Sequence, residues 1–450
     1  MKKYDVIFIG SGHSCWHGAL MLKLLGKKVA LVERDLVGGT CTNYGCDAKI
    51  LLDSPFELKE ALDRYKGIGV TGDSKLNWSA LMQYKKQYIG GMPVALEGMF
   101  DQFGFDLIRG EAKFEDKNTI SVGSDTYKAK YFVIGTGQTY IPMDIPGKEF
   151  FHDSRDFLDL DEIPDHITFV GAGIISMEFA SLCLSLGKQV DIVVHSDTAL
   201  RQYPQEYVRS VIEKMQSQGA NFVFNANVSE IEQKGSGYVL KTKEGISIET
   251  EYILIAVGRR ANVDGMNLDK IGIEYSGKGI KVDEHLRTSV RNIYASGDVI
   301  DKKIPKLTPT AEFESNYIAM DILKPINGKI QYPAVPNLVF TLPRIAQVGV
   351  SIAEAEAHPD LYRIEKNAIG ATMSWLNKNQ KDEHFTFIFD KKKKLVGAAV
   401  FSDDAGVYID MLTIIINKKL GARDLQKMIF AFPTQTYGLV STLIPLFLKK

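Results

Sequence analysis

One pattern occurs twice in this chain. Tyr4-Asp5-Val6-Ile7-Phe8-Ile9 runs into Gly10-Ser11-Gly12, then a helical stretch to Leu25, then Lys28-Val29-Ala30-Leu31-Val32-Glu33. Ile167-Thr168-Phe169-Val170 runs into Gly171-Ala172-Gly173, then a helical stretch to Leu186, then Gln189-Val190-Asp191-Ile192-Val193-Val194. Each is an apolar strand, a glycine turn, a helix and a second apolar strand, within about 30 residues, the span of a βαβ unit. Unbroken apolar runs suit parallel strands buried on both faces. A Gly-x-Gly turn after a strand brings backbone N–H groups close to a pyrophosphate at the helix N-terminus, where the helix dipole favours negative charge. Taken singly, such a turn is weak evidence, because a glycine turn in an α/β protein need bind nothing. Both copies are also imperfect: Cys15 and Ser176 stand where the third glycine would be. Their pairing constrains the fold to two dinucleotide-binding units, with Gly10, Gly12, His13 and Ser14 at one turn and Gly171, Gly173 and Ile175 at the other.

The ends of the second strands separate the two units. Glu33 closes the first, and its carboxylate can accept hydrogen bonds from ribose hydroxyls. The second ends near Val194-His195, with no acid. His195 and Arg201 can instead meet a 2′-phosphate, which a guanidinium binds bidentately and an acid would repel. This favours NADPH over NADH at the second site.

A chain of 450 residues has room for two to four domains. Beyond Pro336 the texture changes. Val335 to Val350 reads as a strand with a turn, Ala371 to Val400 as antiparallel strands, and Asp404–Ile416 and Ala422–Phe430 as helices. The last third is thus expected to be an α+β domain without a phosphate loop. Lys391 to Lys394 follow the strand-like Phe385–Phe389 and read as a solvated hairpin turn. With a formal net charge of −1, no global field draws the chain to nucleic acid or membrane. The stretch from Met1 to Gly12 reads as strand and turn rather than as a signal peptide. The apolar Leu439–Leu448 is too short to span a bilayer and is expected to dock as a helix. Four cysteines, Cys15, Cys41, Cys46 and Cys183, are too few for a disulfide scaffold, and a cytoplasmic setting is expected.

The most informative stretch is Gly38-Gly39-Thr40-Cys41-Thr42-Asn43-Tyr44-Gly45-Cys46-Asp47-Ala48-Lys49. The cysteines are separated by about one helical turn, so they could share a face and close a disulfide. A helix starting here would lower thiolate pKa values, as dithiol chemistry requires. Two unpaired structural cysteines are the other reading. Zinc would need further ligands at suitable spacing, and none is present, so no metal site is expected.

With these motifs, the sequence resembles the class I pyridine nucleotide–disulfide oxidoreductases, the group of glutathione reductase, dihydrolipoamide dehydrogenase and mercuric reductase. The likeness runs along nearly the whole chain. It rests on Gly10-Ser11-Gly12, the Gly38–Lys49 stretch, Ile134-Gly135-Thr136-Gly137, Gly171-Ala172-Gly173 with Glu178, Ala256-Val257-Gly258-Arg259 and Ser296-Gly297-Asp298. It implies an α/β fold of two Rossmann-like dinucleotide-binding domains plus a C-terminal α+β dimerisation domain. FAD would bind residues 1–150 with 263–333 and NAD(P)H residues 151–262, while 334–450 would join two copies as a homodimer. Cys46 matches the flavin-proximal cysteine and Cys41 the interchange cysteine that attacks the acceptor. Lys49 matches the lysine near flavin N5, paired with Glu178. Asp298 matches a ribityl contact, and Thr308 to Ala311 the turn at the flavin pyrimidine edge. Gly39, Thr40, Ala112, Thr136, Gly137 and Gly258 complete the expected cofactor contacts.

Departures from the family bear on function. The disulfide reductases carry His-Pro-Thr followed by a glutamate, an acid–base dyad given across the dimer. Here Phe432 precedes Pro433-Thr434, and Tyr437 stands at the glutamate position. Phenylalanine transfers no proton, and general acid–base help of this kind is worth about 10²–10⁴ in rate. Asp47-Ala48 replaces the usual apolar residue and proline, and an acid beside Cys46 opposes thiolate formation. Ile174 stands at the nicotinamide gate, where many members carry tyrosine. His13 is assigned to the pyrophosphate rather than to a replacement base. No cysteine follows Cys183, so the C-terminal pair of mercuric reductase is lacking. Three functions follow. The first is an NADPH-dependent flavoenzyme acting on a metal ion, quinone, oxidant or unusual disulfide. The second is an ordinary disulfide reductase with a replaced acid–base, such as Tyr437 or water. The third is a weakly active FAD-binding redox sensor.

Overall fold

The computed structural model describes residues 2–370 and 372–449. Both glycine-turn repeats fold as βαβ units whose strands pair in parallel. In the first, strands Lys2–Ile9 and Val29–Glu33 flank helix α1 (His13–Leu24). Lys2–Ile9 lies between Val29–Glu33 and Asp125–Ile134, parallel to both, with Ile9 opposite Val32 on one side and Ile134 on the other. Asp106–Arg109 extends one edge in parallel, and Thr119–Val122 and Ala112–Asp116 extend the other antiparallel. The short strand Ile293–Ala295 returns from far along the chain to pair with Asp125–Ile134. This return places residues after 293 beside the first glycine turn.

The path from that sheet carries three helices: α2 (Gly39–Tyr44), α3 (Cys46–Arg64) and α4 (Trp78–Gln102). The cysteines therefore do not share one helix, as their spacing suggested. Gly45, at φ −145° and ψ −116°, breaks the helix between them, and Cys46 opens α3. The second repeat places α5 (Ile174–Ser185) between strands His166–Val170 and Gln189–Val193. Its sheet is parallel, in the order Ala220–Val223, Gln189–Val193, His166–Val170, Tyr252–Ile255, Phe151–His152. Helix α6 (Thr308–Leu323) packs on α1.

The two turns are alike in detail. Gly10 has φ +114°, and a Cβ there would lie 2.6 Å from the Gly135 carbonyl oxygen. Gly171 has φ +100°, and a Cβ there would lie 2.6 Å from the Ala256 carbonyl oxygen. In each case the turn leans on the end of the neighbouring strand, and positive φ is accessible to glycine at little cost. Neither Gly12 nor Gly173 caps its helix with a side chain, so both helix N-termini keep free N–H groups.

The C-terminal third is an antiparallel sheet in the order Asn337–Val339, Arg344–Gly349, Leu395–Ser402, His384–Asp390, Tyr362–Ala368. Helix Ala405–Asn417 and α7 (Gln435–Leu448) cover it, and α7 buries Leu439, Leu443 and Phe447. The sequence reading differs from it in three places. The region 371–400, whose first residue Ala371 lies outside the described residues, holds a helical turn at Met373–Leu376 before its strands. That turn seats Trp375, fully buried, against Phe385 and Tyr408. The edge strand Tyr362–Ala368 pairs on one side only, and its charged residues hide the alternation of a strand. The helix expected over Ala422–Phe430 ends at Leu425, a few residues before Phe432-Pro433, a pair that disfavours helix. Among the described residues no helix is long and apolar enough to cross a membrane.

Candidate active site

A cleft of about 430 Å³ opens at the first glycine turn and runs to the cysteines. Gly10, Gly12, His13, Ser14, Glu33, Gly39, Thr40, Ala112, Thr136, Gly137, Asp298, Thr308 and Ala311 all line it, together with Cys41 and Cys46. Residues from three distant stretches thus meet in one space. Glu33 is held in place: its carboxylate accepts from Ser11 N at 3.0 Å, Ser11 Oγ at 2.7 Å and Asp35 N at 2.9 Å. Thr136 Oγ1 and His13 Nε2 line this space buried and without partners. Unpartnered buried polar atoms cost free energy unless a ligand or water meets them. Free helix N–H groups, an acid at the strand end and an orphaned Thr136 hydroxyl suit an extended anionic dinucleotide such as FAD.

The cysteines sit at the far end. Cys46 Sγ lies 3.8 Å from Thr308 Oγ1, at the head of α6. The Cys46 thiol is pushed down to about 6, chiefly by its hydrogen bond with Cys41, with Thr308 and Lys49 assisting. Burial and Asp47 oppose this, and the opposition of Asp47 is the one its sequence position suggested. The Cys41 thiol is pushed strongly upward by the same hydrogen bond and by burial. One sulfur therefore carries the thiolate and the other keeps the proton. Cys46 also opens α3, where the helix dipole favours a thiolate.

One turn along α3, Lys49 Nζ lies 2.9 Å from Glu178 Oε2 on α5. Glu178 is 4% exposed, and its other oxygen accepts from Phe340 N at 2.8 Å. Lys49 Nζ stands 3.8 Å from the centre of the Phe340 ring. The pair is thus roofed by the turn between the first two strands of the C-terminal sheet. On the same helix Asp53 meets Arg344 at 2.6 Å, and burial holds the Asp53 carboxyl up at about 6.

Behind Asp298 lies a group the sequence reading missed. Glu314, fully buried on α6, accepts from Gly297 N at 2.6 Å, Lys302 Nζ at 2.6 Å and Tyr332 OH at 2.7 Å. It fixes the turn that presents Asp298 to the cleft. Nothing in its local sequence marks it, because its partners come from the two connections on either side of α6.

At the second turn, Gly171 and His195 line a separate cleft with Lys243. Arg201 Nη2 donates to His195 Nε2 at 3.1 Å. Buried Ser176 Oγ has no partner. Gly173 and Ile175 belong to the start of α5, where Ile174 is exposed; Gly258 follows the strand Tyr252–Ile255. Phe432 and Tyr437 lie away from this cleft on the surface, their rings 5.1 Å apart and edge to face. Phe432 is 75% exposed, and Ile429 and Met373 are exposed as well.

Comparison with known proteins agrees along the whole chain. Residues 4–315 match the family described as pyridine nucleotide-disulphide oxidoreductase, and residues 335–442 match its dimerisation domain. Mercuric reductase of Bacillus cereus is 31% identical over 449 residues, which cover 97% of this chain and 70% of that protein. Dihydrolipoyl dehydrogenase of Staphylococcus aureus is 30% identical over 445 residues, covering 96% and 94%. The solved structure of the HOCl-induced flavoprotein disulfide reductase RclA from Escherichia coli superposes with a TM-score of 0.88. It covers 98% of this chain and 100% of that one at 23% identity, a likeness of fold.

Proposed function

This chain belongs to the pyridine nucleotide-disulphide oxidoreductases, FAD-dependent enzymes with NAD(P)H as electron donor, and from that premise we propose the route its electrons take. Residues 1–150 and 263–333 hold FAD, 151–262 hold NADPH in preference to NADH, and 334–450 join two copies. FAD, when bound, would supply the two-electron redox chemistry between the nicotinamide and the Cys41–Cys46 pair. Cys46 holds the thiolate next to the cofactor space, and Cys41 delivers electrons to the acceptor. Lys49 keeps a positive charge there, with Glu178 as its compensating partner so that neither ion is left alone. Glu33, the free N–H groups of α1 and Thr136 hold the adenosine and pyrophosphate; Asp298, Thr308 and Ala311 hold the flavin end.

The acceptor is a small thiophilic species other than glutathione or lipoamide. Phe432 and Tyr437 support this, since neither matches a proton-transferring dyad for a bulky disulfide. The mercuric reductase relatives favour a metal ion, with an oxidant, quinone or unusual disulfide as the remaining classes. The single observation that carries the reading is the Cys41–Cys46 pair at the end of the first-turn cleft, one helical turn from Lys49–Glu178.

Anaerobic titration with NADPH and with NADH tests it. The expected result is bleaching of bound FAD and a long-wavelength thiolate-to-flavin band. A protein that retains FAD but is bleached by neither donor would instead be a redox sensor. The donor preference has its own test. Arg201→Ala is expected to raise KM for NADPH by roughly ten- to hundred-fold, the worth of a hydrogen bond to a charged group, and to leave KM for NADH in place. Equal effects on both donors would remove Arg201 from phosphate selection.

A further inference from the structure

The chain carries two histidines one turn apart at the start of α1, and the structure couples them. His13 Nδ1 lies 3.0 Å from His17 Nε2. His17 Nδ1 lies 3.6 Å from Glu312 Oε1, within ion-pair range. Trp16 stacks on His17 with ring centres 3.5 Å apart and fixes its plane. The tautomers follow in order. Glu312 favours the proton on His17 Nδ1, which leaves His17 Nε2 as an acceptor. His13 then donates its Nδ1–H to that nitrogen. His13 Nε2 is left with a bare lone pair, and it is buried without a partner.

α1 and α6 both begin at the cleft that holds the cysteines: His13 and Ser14 of α1 line it, as do Thr308 and Ala311 of α6. The two helices pack through His17 with Glu312 and through Gly18 N, which donates to Ser315 Oγ at 2.9 Å. Thr308 Oγ1 is the atom 3.8 Å from Cys46 Sγ. His13, Cys41 and Cys46 line the same space. The charged groups facing His13 are Asp47 on α3 and Glu312 on α6.

We propose that His13 is the proton acceptor for the Cys41 thiol, with His17 and Glu312 as the positioning residues that set its tautomer. This rests on the redox role of Cys41–Cys46 proposed above. Cys41 is the sulfur that keeps its proton, so it is the one that needs a base. Burial lowers the pKa of both imidazoles, which holds them neutral and able to accept near pH 7. With an aromatic disulfide as acceptor, the step balances as follows. The Cys41 proton passes to His13 Nε2 as Cys41 sulfur attacks one sulfur of the probe. The probe's S–S bond breaks and one aryl thiolate leaves. Cys46 thiolate then attacks Cys41 sulfur, the Cys41–Cys46 bond forms and the second aryl thiolate leaves. The dithiol is oxidised by two electrons, the probe is reduced by two, and His13 returns its proton to water.

The test follows aryl thiolate release from the prereduced holoenzyme with 5,5′-dithiobis(2-nitrobenzoate) across pH. The parent rate is expected to fall as pH drops through a depressed histidine pKa, below the ordinary 6.5. His13→Gln is expected to slow release by about 10²-fold near neutral pH and to abolish that acid limb. Glu312→Gln, an exposed change that spares the core, is expected to move the inflection to lower pH, because Glu312 favours the charged imidazole. The proposal is overturned if His13→Gln keeps the parent rate and limb, or if Glu312→Gln leaves the inflection in place. It is also overturned if His13→Gln loses FAD while its remaining holoenzyme exchanges normally, which would make His13 a pyrophosphate ligand. If the reduced parent releases no aryl thiolate, the redox role of the cysteines fails, and the relay with it.

Discussion

Cys46→Ser is expected to remove NADPH-dependent turnover by about 10³-fold or more, the scale seen when a reacting nucleophile is deleted. Serine is close in size, so the α3 start and the Thr308 contact survive. What disappears is the thiolate. The Cys46 thiol sits at about 6 because Cys41, Thr308 and Lys49 stabilise its charged form, and a hydroxyl has no comparable acidity. Cys41 alone cannot close a disulfide, so electrons have no exit toward the acceptor. The long-wavelength band should vanish in the same variant, while FAD binding remains. Cys41→Ser should also stop turnover but keep the band, because the charge-transfer sulfur is untouched. A Cys46→Ser protein that retained the band would reverse the two assignments. Retained turnover in both variants would mean that electrons bypass the pair.

Glu314→Ala is expected to cost about 3–5 kcal/mol of stability, the range for removing one partner of a buried ion pair. Lys302 loses its counter-charge with its side chain only 7% exposed. Gly297 N and Tyr332 OH lose their acceptor as well. The loss falls where Asp298 enters the cleft, so weaker FAD retention should accompany it. Denaturant unfolding of holo and FAD-stripped protein measures both effects. A change under about 1 kcal/mol would show that water or rearrangement replaces the carboxylate. Glu314→Gln should be milder at Gly297, where an amide oxygen still accepts, but should leave Lys302 uncompensated.

Much of the fold was legible because the repeats use local rules. A strand, a glycine turn and a helix obey periodicity over a short window, and both turns took their expected shape. The C-terminal sheet was legible where strands are apolar, as at His384–Asp390 and Leu395–Ser402. It was hidden where tertiary burial governs, as at Trp375, or where an edge strand alternates charges. The Cys41–Cys46 spacing announced a pair but not the helix break at Gly45. The i,i+4 spacing of His13 and His17 was also readable; its partner Glu312 was not, because α1 and α6 meet only after some three hundred residues of chain. Phe340 was invisible for the same reason, since Glu178 is 162 residues away; the partners of Glu314 are 12 to 18 residues off but sit in irregular connections that no periodicity reports.

Phe340 has a consequence for how the chain can be divided. Its ring covers Lys49, which follows the first repeat, and its N–H holds Glu178, which belongs to the second. The residue itself lies in the turn between the first two strands of the C-terminal sheet. A cut between the nucleotide-binding part and the C-terminal part would therefore not separate a catalyst from an appendage. It would strip the cover from a buried charge pair. The modules drawn along the sequence are thus not modules in chemistry: the centre is made where all three parts meet, and none of them carries it alone.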